Sequence, residues 1–353
     1  MKRLCVVTTY SVRGSKGLYA CHADVTTGAL FPLVEPLPVE GLFNTTFAAC
    51  FGDWLYAVGE TEQSPSSRQG VVVAFRMDRQ TGQLCRTKTV ACGQGSPCHV
   101  IVFDGGRRLA VSQYKTGELY VLKIALDGLP ECVEIVFRTE GQGPVANRQE
   151  GPHIHSALES PDRSTLFVAD LGLDCVFQYA VHPGAIEPIA RLICPPGSGP
   201  RHMAISQDGR FLWVTGELDS TVIGFRREGS GYRCFGHWPL LPAGFTGESW
   251  AAEIRLHPNG QWLYATNRGA DDVVVMAIQA DGSPVLIGRT PTGVWPRGMI
   301  VSPDGCFLYA GSQHRDRIDV FAIHPDTGLL SKQGGLEGIP SPVGFAFADG
   351  TTC

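Results

Sequence analysis

Apolar residues in this chain come in short runs broken by turn residues, and no stretch keeps the spacing of a long amphipathic helix. The clearest unit runs from Gly199 to Glu217. It reads as a short strand, an Asp208-Gly209 turn and a returning strand that ends on a carboxylate. A turn this tight sets the start of the first strand beside the end of the second, so Arg201, His202 and Glu217 share one edge. The apolar triplet in the second strand recurs around Leu55, Leu109, Leu166, Leu212, Leu263 and Leu308, at intervals of 45 to 57 residues. The preceding turn recurs as Pro161-Asp162, Pro258-Asn259-Gly260 and Pro303-Asp304-Gly305. Each unit continues into a third apolar strand such as Val222-Ile223-Gly224-Phe225, and several reach a fourth through a turn such as Asp326-Thr327-Gly328-Leu329. Four antiparallel strands per unit of this length make the blade of a β-propeller.

The two ends complete the count. Leu4 to Tyr10 reads as a second strand with no first strand before it, and Pro342 to Phe347 as a first strand with nothing after it. Joined, they form one blade, which with six internal units gives an all-β, seven-bladed propeller over residues 1–353, a single domain closed by strands from both termini. Paired β-sandwiches would also show short strands and regular turns, but would not need complementary fragments at the two ends. No Trp-Asp dipeptide marks the blades, so the array is not of the WD40 type.

Composition adds exclusions. Gly (43) and Pro (24) are abundant, as a turn-rich chain requires, and the net charge of −5 comes with no basic run or tail. No nucleic acid or membrane partner is therefore expected. The apolar run after Met1-Lys2-Arg3 is cut short at Thr8-Thr9, and the twelve cysteines are scattered without a C-x-x-C pair. These features predict buried, reduced thiols and a cytoplasmic location. No metal site and no cofactor are expected, and the chain is read as a monomer or weak homodimer. His22, His182, His257 and His324 fall in turns or outer strands, which predicts surface roles.

Aligned on turns and triplets, the units show what each blade offers at one height. First strands begin at Asn44, Cys98, His155, Arg201, Ala252, Arg297 and Val343; second strands end at Tyr10, Glu60, Tyr114, Leu171, Glu217, Arg268 and Gln313. In a propeller the first strand lines the central channel, so these positions converge on one mouth. One step along lie His99, His202 and Glu253, whose side chains should point differently because strand side chains alternate. Like charges gathered from several blades need a compensating anion or carboxylate, so the mouth is predicted to bind a small anion and to carry acid/base groups. Arg297, His202, Glu253, Tyr10, Tyr114 and Gln313 are the candidate substrate-binding residues.

The chain resembles the seven-bladed lactonase family, which includes a bacterial type of 6-phosphogluconolactonase and carboxy-cis,cis-muconate lactonizing enzymes. The resemblance rests on His155-Ser156 before Ser160-Pro161-Asp162, Val168-Ala169-Asp170-Leu171-Gly172, Gly199-Pro200-Arg201-His202, Glu217-Leu218, Ala252-Glu253-Ile254, Asn267-Arg268 and Trp295-Pro296-Arg297. It implies an active site at His155, Arg201, Glu217 and Arg268, and hydrolysis of a small anionic sugar lactone, 6-phosphogluconolactone first. The alternatives are cycloisomerisation of a carboxylated muconate, or a catalytically silent propeller that binds proteins. For hydrolysis, Glu217 is expected to be the base, His155 the acid or proton shuttle, and Arg201 and Arg268 the holders of negative charge. Glu217 can be a base only if its pairing with arginine is loose or water-mediated.

Overall fold

A computed structural model describes residues 2–33, 37–38, 42–61 and 69–349. The connection between Glu60 and Gly70 falls largely outside these residues. The strands form seven antiparallel sheets, six of them four consecutive strands each. We number the blades along the chain: blade 1 is the closing blade, and blades 2 to 7 begin at Phe43, Pro97, Ile154, Pro200, Trp250 and Pro296.

Blade 1 is built as the split pattern predicts. Pro342–Phe347 is its innermost strand and pairs with Lys2–Thr9, placing Cys5 opposite Phe347, Val6 opposite Ala346 and Val7 opposite Phe345. Gly17–Asp24 and Leu30–Pro32 follow outward. Terminal pairing replaces what would otherwise be an open inner edge beside apolar core.

Apolar clusters sit between blades, where the alternation of each strand sends side chains to both neighbours. Leu4, Val6 and Leu18 of blade 1 meet Leu55, Ala57 and Val73 of blade 2. On its other face Cys5, Val7 and Phe347 meet Tyr309 and Ile318 of blade 7. The leucine of every recurrent triplet is fully buried. At the far end of the strands the turns brace themselves: Ser206 Oγ donates to Asp208 Oδ1 at 2.6 Å and accepts from Phe211 N at 2.9 Å, while Gly209 takes a φ of 69°. Ser302 and Asp304 repeat the arrangement. His257 departs from its expected surface role. It is buried, its Nε2 lies 2.9 Å from Gly305 O in the next blade and its Nδ1 accepts from Asn259 N, so it ties two turns together.

Near the mouth, the ladder between the innermost and second strand is interrupted in every blade. The shifts fall at Phe43/Phe47, Ser112/Gln113, Ile154/Ser156, Pro200/Met203, Ala251/Ile254 and Pro296/Gly298, and in blade 1 at Thr8/Thr9. A bulge frees residues from the ladder and re-aims their side chains. His155, Arg201 and Arg297 lie at these interruptions.

Truncation before Pro342 should uncover the inner edge of blade 1 and the core around Tyr309. We expect aggregation, or a melting temperature about 10 °C or more below that of the full chain. Identical melting curves would contradict closure by the two ends.

Candidate active site

The mouth opens into a cleft of about 380 Å³ whose walls include Lys115, Arg148, Arg268 and Arg297 against two carboxylates, Glu60 and Glu217. That volume lies in the range of small-molecule pockets.

Glu217 is the centre of the charge. It follows the second strand of blade 5 and is 3% exposed. Its Oε2 lies 2.8 Å from Arg201 Nε and 2.9 Å from Arg268 Nη2, and its Oε1 accepts a hydrogen bond from Arg148. The Arg201 N–H is not aimed along its short contact, which is therefore an ion pair rather than a hydrogen bond. Burial alone would raise the Glu217 pKa, but Arg268, Arg201, His155 and Arg148 outweigh it and hold the carboxyl well below the carboxylate range. The expected loose pairing is thus corrected: Glu217 is clamped by three guanidiniums and has little affinity for a proton.

Each arginine comes from a different element. Arg201 sits in the blade 5 bulge, between Pro200 and Met203, and is 2% exposed. Arg268 ends the second strand of blade 6 and is fixed by Ala251 O, 3.0 Å from its Nη2. Burial, partly offset by Glu217, brings its pKa down to about 9, so it remains cationic at neutral pH. Arg148 arrives on the connection between blades 3 and 4, lies 4.8 Å from the Trp250 ring centroid and reaches Tyr114 Oη at 3.4 Å. Gln149 anchors that connection through Leu171 O and Asp174 Oδ1, each at 2.8 Å. Arg201 Nη1 and Arg148 Nη1 are buried without partners. Arg297 has no carboxylate within ion-pair distance among the described residues and lies 5.2 Å from the Tyr10 ring centroid.

His155 lines the cleft beside this cluster, 4% exposed, its ring edge-on to Tyr114 with centroids 5.7 Å apart. Burial first, then Arg201 and His202, pulls its pKa well below 6.5, which leaves a neutral imidazole at neutral pH. Cys98 also lines the cleft, but burial pushes its thiol up to about 12, so it carries no thiolate.

The structure thus brings Glu217, His155, Arg268, Arg297, Tyr10 and Tyr114 together in the cleft lining, and pairs Arg201, itself outside that lining, with Glu217. It does not bring in the other three candidates. His202 and Glu253 line a separate cavity deeper in the channel, and Gln313 is outside the cleft lining, its amide toward His314. Arg148, Lys115 and Trp250 escape sequence reasoning. The repeat alignment assigns them no position; the unusual length of the connection before His153 is the only available signal for Arg148.

A family model described as lactonase, seven-bladed β-propeller, matches residues 4–347. The chain belongs to this lactonase family. Among curated relatives, the 6-phosphogluconolactonase of Bacillus subtilis is 28% identical over 352 residues, covering 98% of each chain. That of Formosa agariphila is 30% identical and covers 83% of this chain and 85% of its own. Among solved structures, the periplasmic gluconolactonase of Pseudomonas aeruginosa superposes with a TM-score of 0.89 at 31% identity, over 98% of this chain and 99% of its own. The chain is a lactone hydrolase of this fold, and the cleft is where the channel mouth of the lactonase concentrates charge.

His99, His155 and His202 of the lactonase are all buried, and burial is the main reason each is held well below the ordinary value of 6.5. Unfolded, they take up protons near pH 6.5; folded, they do not. The unfolded state binds more protons there, so stability is full above that pH and falls as pH drops toward the folded values, by up to about 1.4 kcal/mol per pH unit per histidine. Urea unfolding at pH 7.5, 6.5 and 5.5 should give a declining series; equal stability at all three would contradict neutral imidazoles in the fold.

Proposed function

We propose that the cleft hydrolyses 6-phosphogluconolactone, with His155 as the general base. The observation that carries this reading is an excess of cationic side chains around a neutral, buried imidazole: Arg297 lacks a carboxylate partner among the described residues, while Glu217 is already saturated by three arginines. An anionic substrate satisfies the remaining cations through charge-assisted hydrogen bonds. The recessed cleft suits a small molecule better than a docked protein, which would favour an exposed aromatic face.

In this reading water attacks the lactone carbonyl carbon as His155 takes its proton. The carbonyl oxygen becomes an oxyanion stabilised by the guanidiniums of Arg148 and Arg268, which line the cleft, with Arg201 adding its charge through the shared Glu217. Collapse of the tetrahedral intermediate breaks the bond to the ring oxygen, which recovers the proton from His155 and leaves the open-chain acid. Arg297, with Lys115 at the cleft rim, holds the phosphate. The bound dianion also weakens the field that suppresses His155 protonation, so the base gains strength when substrate is present. Glu217 serves as counterion: it gathers the guanidiniums and fixes their outward edges. A cytoplasmic site of action is supported by the eleven described cysteines, all of which are free, and cell fractionation tests it.

His155→Ala should lower kcat by about a hundredfold or more with KM nearly unchanged. Arg297→Ala should raise KM for the phosphorylated lactone and leave turnover of gluconolactone unaltered. Glu217→Gln should change kcat and KM together and destabilise the fold by roughly 3–5 kcal/mol, because it strands buried guanidiniums. Full activity in His155→Ala, or a loss confined to kcat with stability intact in Glu217→Gln, would return the base role to Glu217.

A further inference from the structure

Beneath the cleft the channel holds a second cavity of about 70 Å³, walled by His99, His202, Glu253 and Arg255 together with Phe47 and Phe345. A buried carboxylate–imidazole pair here lies outside the cleft lining and carries a desolvation cost, so its presence calls for a reason. Both residues owe their placement to bulges. His202 lies in the interruption between Pro200 and Met203, with its N–H donated to Thr215 Oγ1 at 3.1 Å; Glu253 lies in that between Ala251 and Ile254, with its N–H donated to Thr266 Oγ1 at 3.0 Å. The bulge in blade 5 therefore sends Arg201 to Glu217 and its neighbour His202 into the channel.

Glu253 Oε1 lies 2.7 Å from His202 Nδ1 and also accepts from Ile254 N at 3.2 Å, while its Oε2 lies 3.4 Å from Arg255 Nη2. An ionised carboxylate only accepts, so it fixes the His202 proton on Nδ1 and leaves the lone pair on Nε2. That Nε2 is buried and has no partner. Among the described residues one other imidazole nitrogen is in the same state, His155 Nδ1. The two rings are neighbours, with centroids 5.2 Å apart and planes at 66°. The two nitrogens are not hydrogen-bonded to each other in this structure, but a direct N–H···N bond of about 2.9 Å joins two imidazoles whose centroids lie about 5 Å apart, so the ring spacing admits one. His99, also in contact with His202, is engaged differently: its Nδ1 accepts from Ala157 N at 3.4 Å.

We propose that Glu253 and His202 are positioning residues for His155, forming a relay behind the catalytic imidazole. Glu253 holds His202 as an acceptor; His202 Nε2 takes the hydrogen bond of His155 Nδ1–H; His155 is thereby fixed with its lone pair on Nε2, the nitrogen left for water. When His155 Nε2 gains the proton of the attacking water, its Nδ1 proton shifts toward His202 and the positive charge is shared with the Glu253 carboxylate. The shift reverses when the departing ring oxygen takes the proton back, so no proton is gained or lost over the cycle. This rests on the reading of His155 as base.

The tautomer is measurable without substrate. Long-range proton–nitrogen correlation spectra of the histidine-labelled full chain at pH 7.5 should show neutral His155 protonated on Nδ1 in the wild type. The signal is assigned by its loss in His155→Ala. In His202→Phe and Glu253→Gln the Nδ1–H form should give way to a mixture with the Nε2–H form. Kinetics on 6-phosphogluconolactone should show kcat down roughly tenfold or more in both variants with KM within about twofold. The double variant His155→Ala/Glu253→Gln should be no slower than His155→Ala alone. Should His202→Phe fail to fold, the wild-type spectrum and Glu253→Gln still decide. An Nε2–H tautomer in the wild type, or unchanged tautomer and kcat in Glu253→Gln, overturns the relay. A His155→Ala enzyme with full kcat overturns the base reading instead, even if the tautomer is as expected.

Discussion

The mouth of this propeller depends on one buried carboxylate. Glu217 is almost fully removed from water and stands against guanidiniums from the innermost strand of its own blade, the second strand of the next blade and a connection from two blades back. Three like charges in so small a space would repel one another strongly without it. With it they form a fixed cationic wall, and the same pairing that secures the wall removes Glu217 from proton chemistry. The structural demand and the catalytic demand cannot both fall on this residue. The neutral imidazole of His155 is free of the first and open to the second.

The fold supplies the wall through two repeated devices. Ring closure by the terminal strands fixes the height of every innermost strand, so that equivalent positions face one another across the channel. Bulges near the mouth then turn individual side chains out of the ladder. Arg201 and His202 show the result: adjacent in sequence, one serves the cleft and the other the channel beneath it. Stability and chemistry are thus layered along the axis, with turns braced at one end, apolar seams between blades and charge at the other end.

Much of this was legible in the chain because its signals are local and repeated. The turn at Asp208-Gly209, the Leu212 triplet and the strand alternation around them carry the blade, and the unmatched strands at Leu4 and Pro342 carry the closure. Convergence of His155, Arg201, Glu217, Arg268 and Arg297 follows from that register. What lay outside it was not legible. Arg148 comes from a connection that shares no repeat position, so the number of guanidiniums on Glu217, and with it the loss of its basicity, could not be counted from sequence. Alternation alone says that His202 and Arg201 diverge; the bulge that sends His202 toward Glu253 depends on pairing with Thr215, which lies across the turn. His257 fails for a similar reason, since its partner Gly305 belongs to the next blade.

The central claim is that the cleft is a lactonase site shaped for a substrate carrying its own negative charge. Its most direct test compares the wild-type chain on two substrates that differ only in phosphate: the catalysed ring opening of 6-phosphogluconolactone and of gluconolactone, followed under conditions that correct for spontaneous hydrolysis. The account predicts a kcat/KM at least about tenfold higher for the phosphorylated lactone, a difference that shrinks as ionic strength rises. Equal values for the two lactones at low salt would contradict it.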